Sequence, residues 1–195
     1  NINIDTQAPA FAVGATMGLA VASDTGVIGD TVTNSTTPTI KGSGAPAGSS
    51  VFVTFAATGQ TTLTKSVTAA ADGTFTAVPL SALAGGAGTG WTVTARVRDT
   101  AGNLSSAITT AITVDTQGLA APTITDPGAS LSASPFVAGT ASAGTVVMLY
   151  NDATNALVGS ATADSAGNWQ AQLLSVNQSG TLTLRAESAD AAANI

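Results

Sequence analysis

The sequence predicts an all-β protein: two tandem immunoglobulin-like β-sandwich domains joined end to end by a short linker. Three observations carry this expectation. Apolar and polar residues alternate in short runs, the period of a half-buried strand. Clusters of Gly, Asp, Asn and Ser punctuate those runs. The arrangement is then written a second time, 91 to 97 residues further on, and a repeat at that spacing marks a copied structural unit.

In chain order, Ile2-Asn3-Ile4 alternates and runs into Asp5-Thr6-Gln7. Residues 1–4 read as the tail of a preceding copy's last strand, and the chain as an excerpt from something longer. Residues 5–114 form the first domain. Val51, Val53 and Phe55 share one face of a strand, because successive side chains point to opposite faces. Ala71-Asp72-Gly73 is a turn before Phe75 and Ala77. The glycines from Gly85 to Gly90 lead into the cleanest alternation, Trp91 to Arg98, whose apolar set faces a core and whose Thr/Arg set faces water. Asp99 to Asn103 then turns the chain into Ile108–Val114, which ends on a second Asp-Thr-Gln, Asp115-Thr116-Gln117. No segment has helical periodicity. Seven or so strands at this spacing suit a sandwich of two antiparallel sheets.

Residues 115–195 form the second domain. Ser66 to Ala77 aligns with Ser160 to Ala171 at an offset of 94, Pro38–Gly42 with Pro135–Gly139 at 97, and Trp91 to Asn103 with Leu182 to Asn194 at 91. The drift reflects small loop changes. Trp91 and Trp169 are read as core fillers. No counterpart of Ile108–Val114 follows before Ile195, so the second domain is expected to lack its last strand. Its open edge is a liability, to be met by a disordered end or by a neighbouring molecule's Asn1–Ile4.

Composition narrows the function. With 195 residues there is room for one domain or two small ones. Only 8 % of residues are charged, yet no run approaches ~18 consecutive apolar residues, so membrane insertion is not expected. Net charge −6 and the lack of a basic face argue against nucleic acid. No Cys means no disulfide, and no targeting segment is visible. The acids are ten Asp and one Glu, Glu187. Asp suits turns, and its short carboxylate suits hard cations. Because the Asp positions recur, a metal is preferred over turn-forming alone.

The stretches DTQAP (5–9), SDTGVIGDTVTN (23–34), PTIKGSGAPAGSSV (38–51), AAADGTF (69–75), RDTAGN (98–103) and ITVDTQ (112–117) together resemble the bacterial Ig-like repeats of giant surface adhesins, of the RTX and biofilm-associated type. The second copy keeps ADSAGNW (163–169) and Asp190…Asn194, but carries TITDPGASLSASPF (123–136) where SDTGxxGD would stand. The resemblance implies a calcium-stiffened chain of domains on the bacterial surface, holding an adhesive tip outward for attachment and biofilm formation. Partners are then adjacent repeats of the same chain, with a host receptor or glycan engaged through other regions, and the chain is expected to be extracellular and monomeric.

Strand counting places the acids. Asp5, Asp72, Asp99 and Asn103 fall at the end where the first domain starts; Asp24, Asp30 and Asp115 fall at the opposite end. The second domain brings Asp164, Asp190 and Asn194 to its own starting end, so the junction between the copies is expected to gather these three with Asp24, Asp30 and Asp115. These ten residues are the candidate Ca²⁺ ligands, since calcium takes six to eight oxygens and removes the repulsion that clustered carboxylates would otherwise feel. Zinc lacks His and Cys ligands here, magnesium prefers to keep its waters, and no EF-hand pattern is present.

Catalytic signatures are missing. Without His or Cys there is no Ser-His-Asp triad and no Cys-His pair. Glu187 aligns with Arg96 on a water-facing side, and GGAGTG (85–90) lacks the Lys-Ser/Thr ending of a phosphate loop. Three Asn-x-Ser/Thr patterns, at Asn34, Asn103 and Asn177, are discounted. The leading reading is a non-catalytic extender. The alternatives are a carbohydrate- or protein-binding module, hinted at by Tyr150 and Asn151-Asp152, and a non-catalytic appendage of a secreted enzyme.

Overall fold

The computed structural model describes residues 2–125, 134–174 and 180–195. Asn1, most of the divergent 123–136 stretch and the Asn177-Gln178-Ser179 pattern lie outside those residues. The described regular structure is β-strand throughout, apart from one short 3-10 turn at Val21–Ser23. The chain divides into two units: residues 1–117 with Ala191–Ala193, and Gly118–Asp190 with Asn194–Ile195.

The first unit holds eight strands: β1 Met17–Leu19, β2 Val32–Thr33, β3 Ile40–Gly42, β4 Ser50–Ala56, β5 Leu63–Thr68, β6 Phe75–Ala77, β7 Thr89–Arg98 and β8 Ile108–Val114. They form two sheets, β1-β3-β6 and β2-β8-β7-β4-β5. Alternation does what the sequence implied. Val51, Val53, Phe55, Trp91, Val93 and Val97 are buried between the sheets. The first strand is split: β1 pairs antiparallel with β3, whereas β2 has crossed to the other sheet and runs parallel to β8.

The second unit holds β9 Thr123–Thr125, β10 Phe136–Thr140, β11 Val146–Asn151, β12 Ala156–Thr162, β13 Asn168–Gln172 and β14 Leu184–Ala189. Its sheets are β13-β10-β9 and β12-β11-β14. This repeats the order of β6-β3-β1 and β5-β4-β7. Among the described residues β2 and β8 have no counterpart, and β14 pairs on one side only, with β11.

The register exposes a device common to both units. Gly42 on β3 faces Phe75 on β6, and Gly139 on β10 faces Trp169 on β13. A methyl on Gly42 would lie 2.1 Å from the Phe75 ring, and one on Gly139 would lie 2.6 Å from the Trp169 ring and 1.9 Å from the Thr123 carbonyl. Glycine is therefore required at both places for the aromatic ring to pack against the neighbouring strand.

Candidate functional site

The candidate ligands are placed by strand direction. Ser50 lies between Thr68 and Arg98 in the sheet, so the turns that follow β5 and β7 share one end of the first unit. That end carries Asp72, Asp99 and Asn103. Asp5 joins them, its carbonyl accepting from Asn103 Nδ2 at 3.1 Å. The opposite end carries Asp115, whose N–H donates to the Thr33 carbonyl at 2.8 Å, and the loop holding Asp24 and Asp30. In the second unit, Val146 lies between Thr162 and Ala189, so Asp164 and Asp190 with Asn194 share an end.

Almost every one of these acids is engaged by its own turn. Asp5 Oδ1 accepts from the Gln7 N–H and Asp115 Oδ1 from the Gln117 N–H, each at 3.0 Å. The repeated Asp-Thr-Gln is thus the same closed turn made twice. Asp30 Oδ1 accepts from the Val32 N–H at 2.9 Å. Asp99 takes the Asn103 N–H on Oδ1 and Asn103 Nδ2 on Oδ2, both at 2.8 Å. Asp190 and Asn194 make the matching pair, both at 2.9 Å.

Two different acids close one equivalent turn. Asp72 Oδ1 accepts from the Thr74 N–H and hydroxyl, at 3.0 and 2.7 Å. Asp164 occupies the place of Ala70 instead, yet its Oδ1 accepts from the N–H of Ala166 and of Asn168, the counterpart of Thr74. These bonds favour the ionised form. The Thr74 hydroxyl holds Asp72, the Asn103 side chain Asp99, and the Asn168 N–H Asp164 below the ordinary carboxylate value.

The SDTGVIGDTVTN loop shows what sequence reasoning missed. Its polar side chains satisfy loop N–H groups that no strand partner reaches. Ser23 Oγ accepts from Thr39, Asp24 Oδ2 from Gly29 at 2.6 Å, Thr25 Oγ1 from Asn34, Asp30 from Val32 and Thr33 Oγ1 from Ser35. The signal was present as alternating Ser, Thr and Asp around Gly26 and Gly29, both at positive φ. Asp24 stands apart. It is 8 % exposed, and its Oδ1 is buried with no hydrogen-bond partner. A carboxylate oxygen so placed calls for a cation or a water. Within each unit, the described residues bring no three acidic side chains into a cluster able to hold a metal.

The Tyr150 and Asn151-Asp152 region is satisfied internally. The Arg185 guanidinium lies over the Tyr150 ring, pairs with Asp152 at 3.4 Å, and bonds Glu187 and Asn155. Asn151 Oδ1 closes a turn to the Ala153 N–H. Among the described residues, no helix is long and apolar enough to cross a membrane.

A family model described as a bacterial Ig-like domain matches residues 12–116, more than half of the chain. No curated protein matches. Among solved structures, the chain is similar to a tetra-tandem repeat in the extending region of a large adhesion protein, at 20 % identity, with 93 % of this chain and 47 % of that one covered and a TM-score of 0.38. It is similar to the BSP domain of a biofilm associated protein, at 18 % identity, 82 % and 26 % coverage and a TM-score of 0.30. It is also similar to the chicken CNTN1 FN1-FN3 domains, at 13 % identity, 97 % and 63 % coverage and a TM-score of 0.52, a likeness of fold. The chain spans less than two thirds of each of these structures.

Proposed function

The chain belongs to the bacterial Ig-like domain family, and from that premise we propose that it is a non-catalytic extender of a bacterial cell-surface adhesin, stiffened by calcium. The motifs that resemble adhesin repeats support this reading, as does the doubling of one strand order within the chain. In this role the repeats hold a distal adhesive region away from the cell, outside it, and their partners are neighbouring repeats.

The observation that carries the calcium reading is Asp24. Its buried, unpartnered Oδ1 sits at the end of the first unit that also bears Asp30 and Asp115. The donors at that end are oxygens, which suits calcium. Asp30 and Asp115 each use Oδ1 on a turn N–H, and a carboxylate has about four acceptor sites, so accepting such a bond does not bar metal ligation. Calcium held there would tie the linker after Asp115 to the body of the domain, removing a hinge. The remaining candidates, Asp5, Asp72, Asp99, Asn103, Asp164, Asp190 and Asn194, would serve the corresponding ends.

Calorimetric titration with calcium, together with a melting curve, tests this. Binding to the native state alone stabilises it by about 2.7 kcal/mol at a hundredfold excess over Kd. The melting temperature should rise with calcium in the wild-type chain and rise less in Asp24→Asn. No heat and no shift in the wild type would defeat the calcium reading.

A further inference from the structure

The chain has five basic residues against eleven acidic ones, and its arginines are used in two different ways. Arg185 is surrounded by acceptors, two of them carboxylates. Arg96 and Arg98 are not: among the described residues the ion pairs belong to Arg185. Both stand on the outer face of β7, two residues apart and therefore on the same side. Each is held by a neutral partner. Arg96 Nη1 donates to the Ser105 carbonyl at 3.1 Å, and the Arg98 guanidinium lies 5.9 Å from the centroid of the Phe52 ring. Two like charges fixed side by side, in a chain of net charge −6, leave most of their N–H donors unused.

These arginines line a shallow groove of about 550 Å³ together with Phe52, Thr54, Thr94 and Leu104. The geometry points to a binding site for an acidic saccharide, a sugar bearing a carboxylate, on the outer face of β4 and β7. A planar guanidinium matches a carboxylate with two parallel hydrogen bonds. The half-buried Phe52, with the Arg98 guanidinium over its ring, adds apolar surface beside the two charges for the C–H groups of a sugar. Thr94, and Thr54 opposite it in the register, whose hydroxyl also pairs with that of Thr64 at 3.1 Å, offer hydroxyls to sugar hydroxyls. An acidic peptide fits less well. Peptides commonly add to a sheet through an unpaired edge, whereas β4 and β7 are interior strands whose backbone groups are already paired. The site belongs to the first unit alone and requires no calcium.

The test is an NMR titration of the intact chain with trigalacturonate in the presence of a chelator, run beside neutral galactotriose and triglutamate. Trigalacturonate should shift amide signals on β4 and β7, and galactotriose should not. Arg96→Gln and Arg98→Gln should each weaken binding about tenfold, the loss of one charge-assisted contact, while keeping the amide spectrum of a folded sandwich. Arg98→Lys, which retains charge but loses the fork, should weaken it less than Arg98→Gln. The inference is overturned if no shifts appear at about 10 mM, a limit corresponding to negligible affinity. It is equally overturned if shifts fall away from β4 and β7, if the neutral sugar binds as well, or if triglutamate binds as tightly as the uronate.

Discussion

Gly102 and Ala193 occupy the same position of an Asp-to-Asn turn in the two repeats. Gly102 has φ +99°, which suits glycine. Ala193 has φ +65°, where a Cβ crowds the following carbonyl at a cost of roughly 1–2 kcal/mol. Ala193→Gly should therefore raise stability, by about 1 kcal/mol once the greater freedom of glycine in the unfolded chain is set against it; chemical denaturation measures this. The turn carboxylates also make stability depend on pH. Asp72, Asp99 and Asp164 have folded pKa values lowered by their hydrogen bonds. Their contribution is complete above the ordinary carboxylate value of 3.8 and is lost as pH falls through the lower folded values. A melting series from pH 6 to about pH 2 should stay level and then drop below about pH 4. The drop should be smaller in Asp99→Asn.

At the scale of the element, strands were legible where alternation was long enough to register a period. β4, β7 and β8 follow from Val51-Phe52-Val53, Trp91–Arg98 and Ile108–Val114. The split of the first strand was not legible, since Met17–Leu19 and Val32–Thr33 are three and two residues long and carry no periodicity. The parallel pairing of β2 with β8 is set by tertiary packing instead. The ends of the sandwich could be read from strand order, but the roles of the acids could not. A turn-closing Asp and a metal-binding Asp both require a short carboxylate in a loop, so the sequence does not distinguish Asp99, with both oxygens bonded, from Asp24, with one oxygen buried and unpartnered. The repeat also allows one element to correct the other. Val97 on β7 and Ser188 on β14 hold matching places, opposite Val51 and Val147. Val97 is buried in the core, whereas the buried Ser188 hydroxyl has no partner. Ser188→Val should stabilise the second unit by about 1–2 kcal/mol, read as a higher denaturant midpoint.

At the scale of the molecule, the two units differ in what holds them. The first buries Phe55, Leu83, Trp91 and Ile112 among many smaller residues, and its Trp91 Nε1 donates to the Ala84 carbonyl. The second has fewer buried apolar residues among those described, and its Trp169 Nε1 is buried without a partner. A mechanical role puts the demand on the joints between such units, because a short polar linker hinges unless something fixes it. Calcium bound beside the linker would do so without a larger core or a disulfide. The most direct test is small-angle scattering from the intact chain in calcium and in chelator. If calcium fixes the joint, the two profiles differ, with the chelated chain sampling a wider and on average shorter range of lengths, and Asp24→Asn in calcium resembling the chelated wild type. Superimposable profiles with and without calcium would contradict it.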